Sequence, residues 1–244
     1  MTEFIEATIE ANEYIYNALK DGFDSSWFEK TTMGAGGDIS SKLDLFAEEV
    51  FVRFLSKFGQ IESEESGIIG KGDERIIIDP IDGSSNALSL FPFFGSSVAK
   101  IDKDGVVSEA IVCNLANKDI FFKTPSTPTK QGKLFSNSYY PPKVAPSPEV
   151  GLFEKAYANP NLVALLDSEK LKFRAPGAVA LSLAYAYSVS YVLYMGSYRI
   201  YDFVAGLSLC EGLAVIIEDD YVIVSKDEKI AQKIEFLIKK DRRS

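Results

Sequence analysis

The chain has 244 residues, 26 Lys and Arg against 35 Asp and Glu, a formal net charge of −9 and no histidine. The acidic balance argues against a binder of nucleic-acid backbones, which needs a basic face. Without histidine there is no Ser-His-Asp or Cys-His catalysis and no histidine zinc site, so acid–base or metal chemistry must come from carboxylates, hydroxyls, lysine and water.

From the N-terminus, residues 2 to about 21 set Phe4, Ile5, Ile9, Tyr14 and Ile15 at helical spacing and predict an amphipathic helix. The opening Met1-Thr2-Glu3-Phe4-Ile5-Glu6 holds no apolar signal core, so a cytoplasmic chain is expected. Phe23 to Lys30 reads as irregular, and Met33-Gly34-Ala35-Gly36-Gly37-Asp38 as a glycine-rich, mobile loop that lacks the Gly-Lys-Ser/Thr of a P-loop. Ser40-Ser41 then opens a second helix carrying Leu43, Phe46, Val50, Phe51 and Leu55 and ending near Gly59. Asp44 lies in its first turns, where it complements the helix dipole. Ile61 to Gly67 is a carboxylate-dense turn, and Lys71-Gly72-Asp73-Glu74 is expected to be a hairpin turn leading into the next strand.

That strand is Arg75-Ile76-Ile77-Ile78, running into Asp79-Pro80-Ile81-Asp82-Gly83-Ser84-Ser85-Asn86. Three β-branched apolar residues read as a fully buried strand. Two carboxylates at its exit are costly unless something positive sits with them. Gly83 to Asn86 has the chemistry of a turn opening a helix, whose free N–H groups suit an anion. Carboxylates beside an anion-binding turn suggest a metal-assisted phosphate site. An ordinary strand-turn with capping Asp residues has the same local sequence.

Ser96 to Ile101, Val106 to Asn114 and Asp119 to Thr124 read as an antiparallel meander, and Thr124 to Lys133 and Pro141 to Pro148 as loops. The second loop marks a boundary, giving an N-terminal α+β half over residues 1–140 and a C-terminal α/β half over 149–244. In the second half the expectations are a helix over 149–157, a strand over 170–173, a helix over 178–187 and a strand over 191–194. A helix from Asp202 to Glu211, strands over 213–218 and 221–225, and a terminal helix from Asp227 to Lys239 follow, with a short basic tail ending at Arg243. Residues 175 to 198 include no charged side chain; with Pro176, Gly177, Gly196 and several Ser and Tyr they read as a buried helix and a core strand rather than a membrane span. Cys113 and Cys210 sit in apolar segments and are expected as free, buried thiols.

Asp79-Pro80-Ile81-Asp82-Gly83-Ser84-Ser85-Asn86 resembles the first signature of the inositol monophosphatase superfamily, the magnesium-dependent sugar phosphatases. Glu64-Glu65-Ser66 stands at the corresponding distance ahead of it. Arg199-Ile200-Tyr201-Asp202-Phe203-Val204-Ala205-Gly206 resembles the second signature. The resemblance covers nearly the whole chain and implies a layered α-β-α-β-α sandwich. It also implies two or three Mg²⁺ per site, a small phosphorylated sugar or polyol as substrate, and a homodimer or homotetramer. Residue by residue, it implies that Glu65, Asp79 and the carbonyl of Ile81 hold one cation, and that Asp79, Asp82 and Asp202 hold another. Asp44 and Ser84, with Glu65, would activate water; Gly83, Ser84 and Ser85 would cradle the phosphate. Asp38 and Glu64 rank behind these.

Met195 stands where the eukaryotic type has a glutamate that grips inositol. The run to Asp202 is more similar to the archaeal branch, which acts on fructose 1,6-bisphosphate and inositol 1-phosphate. Arg174 and Arg199 then become candidates for a second phosphate, with Lys170 and Lys172 behind them. Two alternatives stay open: a phosphatase of the same fold acting on 3′-phosphoadenosine 5′-phosphate, and a non-catalytic sugar-phosphate binder.

Overall fold

In a computed structural model the chain is described over residues 1–22 and 24–242, so Phe23 of the expected irregular segment and Arg243 of the basic tail lie outside the described residues. Helix α1 (Glu3–Leu19) starts behind Thr2, whose hydroxyl accepts from the Ile5 amide. A short ribbon, β1 (Lys30–Met33) with β2 (Ile39–Ser41), leads into α2 (Lys42–Leu55). There Ser41 and Asp44 form a reciprocal capping box.

Seven strands then make one sheet: β3 (Gln60–Ser63), β4 (Gly67–Ile69), β5 (Arg75–Asp82), β6 (Gly95–Ile101), β7 (Val107–Asn114), β8 (Asp119–Thr124) and β9 (Thr127–Lys133), in the order β4-β3-β5-β6-β7-β8-β9. The five-residue helix α3 (Ser84–Leu88) sits between β5 and β6. Five further strands make the second sheet: β10 (Gly151–Glu154), β11 (Phe173–Arg174), β12 (Val192–Met195), β13 (Ala214–Glu218) and β14 (Tyr221–Ser225), in the order β11-β10-β12-β14-β13. Its helices are α4 (Pro160–Ser168), α5 (Val179–Ala184), α6 (Ile200–Ser208) and α7 (Glu228–Asp241).

The buried side chains order these elements into five layers. Phe4, Ile5, Ile15, Leu43 and Phe51 of α1 and α2 pack on Ile76, Ile78 and Val98 of the large sheet. The sheet's other face, with Ala99, Ala110, Val112 and Phe121, meets Ala180, Leu181 and Ala205 of α5 and α6. The opposite side of those two helices, with Leu183 and Phe203, packs on Val192, Tyr194, Val222 and Val224 of the small sheet. On the far face Phe153, Leu193 and Ile223 are covered by Leu162, Leu166, Ile234 and Leu237 of α4 and α7. The result is the expected α-β-α-β-α sandwich. Cys113 and Cys210 are free and buried. Among the described residues no helix is long and apolar enough to cross a membrane.

Four local expectations are corrected. Lys71 to Glu74 does not join neighbouring strands, because β3 lies between β4 and β5, antiparallel to one and parallel to the other. The hairpin turn is instead the acidic Glu64-Glu65-Ser66 between β3 and β4. Residues 127–133 form a strand rather than a loop; Pro128 is tolerated because β9 is an edge strand. The helix expected over 149–157 is strand β10, stabilised by parallel pairing with β11 and β12, which the local sequence does not reveal. Strand β5 continues through both aspartates to Asp82. Pro80 fits there because the register with β6 shifts between Asp79 and Asp82.

Candidate active site

The Ile-rich strand delivers Asp79 and Asp82 to a cavity of about 490 Å³. Its wall also includes Asp44, Glu64, Glu65, Ile81, Gly83, Ser84, Ser85 and Asp202. These come from α2, the β3–β4 turn, β5, the start of α3 and the first turn of α6. Side-chain oxygens of Glu64, Asp79 and Asp202 lie within 4.8 Å of one another. Asp82 Oδ2 accepts from the Leu181 amide at 2.8 Å, which fixes β5 against the first turn of α5.

Helix α2 supports two sides of the site from residues one turn apart. Asp44 Oδ1 accepts from Ser84 Oγ at 2.6 Å, while its Oδ2 accepts from the Ser41 amide and hydroxyl, each at 2.7 Å. Glu48 accepts from the Ser66 amide at 3.0 Å and hydroxyl at 2.5 Å, and so holds the acidic turn. Gly83 adopts a left-handed conformation with φ 86° as the N-cap of α3. A Cβ there would lie 2.9 Å from the Ala178 Cβ, so the turn and the close approach both require glycine. No side chain caps α3, which leaves the first amides of its opening turn available to an anion.

Between β1 and β2 the chain folds over the acidic turn. The Ala35 amide donates to Glu65 O at 2.9 Å and the Gly36 amide to Glu64 O at 2.7 Å. A Cβ on Gly36 would come within 2.5 Å of the Glu64 Cγ, so a larger residue would displace that side chain. Arg199 then closes the arrangement. Its Nη1 donates to Asp38 Oδ2 and Gly36 O, both at 2.9 Å, and lies 2.7 Å from Glu64 Oε1; its Nε donates to Asp202 Oδ2 at 3.0 Å.

Even with this guanidinium in place the cluster is short of positive charge. Burial, followed by the charges of Glu64, Asp82, Asp202 and Asp44, pushes Asp79 well above the usual carboxylate range. Burial likewise raises Asp82, against the lowering effect of the Leu181 amide. Glu64 is pushed up to about 7 by burial, with Arg199 opposing and neighbouring acids adding. Burial also takes Glu65 to about 7, with the Ser40 hydroxyl bond opposing. Arg199 itself stays firmly protonated: its carboxylate neighbours outweigh the burial that disfavours its charge. Clustered acids with no nitrogen or sulfur donor fit a hard divalent cation such as Mg²⁺.

Of the acidic turn, Glu64 stands in the cluster with Asp79 and Asp202, whereas Glu65 is the residue that the resemblance puts forward as a ligand. Successive residues of the tight turn face different ways: Glu64 meets Asp79 and Asp202, whereas the Glu65 carboxylate accepts from Ser40 Oγ. Ser84 Oγ also lies 2.9 Å from Ile81 O. The two arginines expected to meet a second phosphate are placed differently. Arg174 is exposed, donates to Phe173 O at 2.8 Å, and is not among the residues lining the cavity. Arg199 lines the cavity but is committed to three carboxylates. Sequence reasoning passed over Lys155 and Tyr194, which line the same cavity. It also passed over Glu48, for which an acid four residues after Asp44 was the available signal.

The family model described as Inositol monophosphatase family matches residues 1–219. A fructose-1,6-bisphosphatase/inositol-1-monophosphatase of Methanothermobacter thermautotrophicus is 29% identical over 213 residues, covering 77% of this chain and 74% of the relative. A bifunctional NADP phosphatase/NAD kinase of Methanocaldococcus jannaschii is 26% identical over 77% of this chain, which spans 40% of that longer protein. Among solved structures, an IMPase of Thermotoga maritima superposes with a TM-score of 0.76 at 20% identity, covering 98% of this chain and 100% of the other.

Proposed function

Because this chain belongs to the inositol monophosphatase family and is a phosphatase, we propose that it hydrolyses fructose 1,6-bisphosphate at C1, and inositol 1-phosphate as a second substrate, in a Mg²⁺-dependent reaction. The observation that carries this reading is the convergence of Glu64, Asp79 and Asp202 beside the Asp44–Ser84 pair in one cavity. Glu64, Asp79, Asp82 and Asp202 would hold the cations, with the Ile81 carbonyl adjacent. When bound, divalent metal supplies positive charge that offsets the carboxylates, polarises the phosphate and lowers the pKa of water.

The chain's own groups do the rest. The opening amides of α3, at Gly83, Ser84 and Ser85, receive the phosphate oxygens. Ser84 Oγ, donating to Asp44, keeps its lone pairs free to accept a proton from the attacking water and relays its own proton to Asp44. The water oxygen bonds to phosphorus as the bond to the sugar oxygen breaks; that oxygen leaves as an alcohol after taking a proton from solvent. No covalent enzyme intermediate is needed. Asn86 donates to Phe93 O and Pro176 O, both at 2.7 Å, and so fixes the phosphate turn against the second half of the chain.

A nucleotide phosphate is the second reading, favoured by the relative named NADP phosphatase/NAD kinase. The test is phosphate release from fructose 1,6-bisphosphate, inositol 1-phosphate and NADP⁺, each at equal protein and Mg²⁺. The proposal expects the highest kcat/KM for the bisphosphate, measurable turnover of inositol 1-phosphate, and none of either in EDTA. Turnover of NADP⁺ alone would replace it with the second reading.

A further inference from the structure

On the side of the small sheet the cavity is walled by Lys155 and Tyr194. Lys155 directly follows β10 and has φ 60° and ψ 26°, a left-handed conformation. Non-glycine residues hold that conformation at a cost and often where it serves a site. Leu90, Lys118, Phe135 and Lys170 are the other described non-glycine residues with positive φ, and none of them lines the cavity. The preceding residue explains how the conformation is held. Glu154 is buried, and its carboxylate accepts from Ser182 Oγ at 2.5 Å and from the Gly177 amide at 2.9 Å. The strand end is thereby fixed to α5 and its leading loop.

Lys155 Nζ donates to Tyr194 Oη at 2.7 Å, and that hydroxyl donates in turn to Ser197 O at 2.9 Å. The tyrosine ring packs edge-on against Phe203, with centroids 4.8 Å apart. The ammonium is thus held by a neutral oxygen, and among the described residues no carboxylate forms an ion pair with it. Arg199, by contrast, is neutralised by Asp38, Glu64 and Asp202. In a cavity dominated by carboxylates, Lys155 is a positioned charge left over for a ligand.

We propose that Lys155 and Tyr194 bind a second phosphate of the substrate, remote from the one being cleaved, and that this pair sets a preference for sugar bisphosphates over monophosphates. The inference rests on the reading above, in which the scissile phosphate sits at Gly83 to Ser85. A phosphate oxygen accepts from the ammonium in a charge-assisted bond, and the Tyr194 hydroxyl turns from Ser197 O to add a second.

Binding is measured by calorimetry with Mg²⁺ in the Asp44→Asn variant, which suppresses turnover, using fructose 1,6-bisphosphate and fructose 1-phosphate. The bisphosphate is expected to bind about tenfold more tightly. Adding Lys155→Gln weakens the bisphosphate about tenfold and fructose 1-phosphate less than about twofold, while Lys155→Arg restores most of the preference. Equal weakening of both ligands, an unchanged preference, or no binding of either ligand overturns the proposal. Phosphate release by the unsubstituted chain is assayed in parallel. A Lys155-dependent preference without turnover would sink the hydrolytic reading and leave the anion site standing; turnover without the preference does the reverse.

Discussion

Replacing Asp44 with Asn lowers kcat for phosphate release by about 10²- to 10⁴-fold, the usual loss when a positioned proton acceptor is removed. The carboxylate has two separate duties. Oδ1 accepts from Ser84 Oγ at 2.6 Å, and Oδ2 completes the cap of α2 through the Ser41 amide and hydroxyl. An asparagine oxygen still accepts from the Ser41 amide, so the helix start survives, at a cost of about 1 kcal/mol or less. The amide cannot take a proton relayed by Ser84. Ser84→Ala interrupts the same relay without touching the cap. Both variants should therefore lose turnover at saturating Mg²⁺ while keeping the circular dichroism of the parent. A loss of less than about tenfold in both would exclude the pair as the proton path.

Asp79→Asn should abolish Mg²⁺ stabilisation and turnover together, while making the metal-free protein more stable at neutral pH. Asp79 is fully buried and is pushed upward by burial and by four neighbouring carboxylates, so its negative charge is held at a cost. Removing that charge relieves the metal-free chain; about 1 kcal/mol corresponds to roughly 2–4 °C in Tm for a chain of this size. The parent, with free Mg²⁺ at about 100 times its Kd, gains about 2.7 kcal/mol from mass action, and the variant should gain none. The sign of the pH dependence follows from Glu64 and Glu65, both raised from 4.5 to about 7. Their contribution is present in full below pH 4.5 and is lost as pH rises through about 7. The metal-free parent should therefore lose Tm across that window, and the Mg²⁺-induced gain should grow across it, because cations bind the deprotonated groups. Thermal scans in EDTA and in Mg²⁺ at a series of pH values check both slopes. A metal-free Tm that rises steadily from pH 5 to 7.5 would contradict this charge balance.

How far the sequence carried this picture varied from residue to residue. Asp79, Asp82 and Ser84 were legible as candidates because their surroundings are short-range, a buried Ile strand ending in acids and a helix-opening turn, whereas Asp202, an aspartate at a helix start, became a candidate only through the resemblance of its motif. Burial of Ile76 to Asp82, including Pro80, needed the register shift against β6, which no local pattern encodes. Which of Glu64 and Glu65 turns toward Asp79 and Asp202 was not legible. It depends on which way each side chain leaves a two-strand turn, and that is set by the Gly36 amide, Ser40 and Arg199 from segments up to 135 residues away. Lys155 was hidden for a similar reason. Its strand is stabilised by pairing with Val192, Leu193 and Tyr194, and without those partners residues 149–157 read as helix. The alternation of helix and strand patterns made a layered α/β second half legible, the five-layer sandwich came from the family resemblance, and the order of the strands within each sheet was not legible.

Anomalous diffraction from crystals soaked in Mn²⁺, a stand-in for Mg²⁺ with a usable signal, tests the central claim most directly. A peak bonded to Glu64, Asp79 and Asp202, with Arg199 drawn away from the cluster, is the predicted result. No peak at these three carboxylates, or a cation held by Glu65 with Asp79 and Asp202 unengaged, would contradict it.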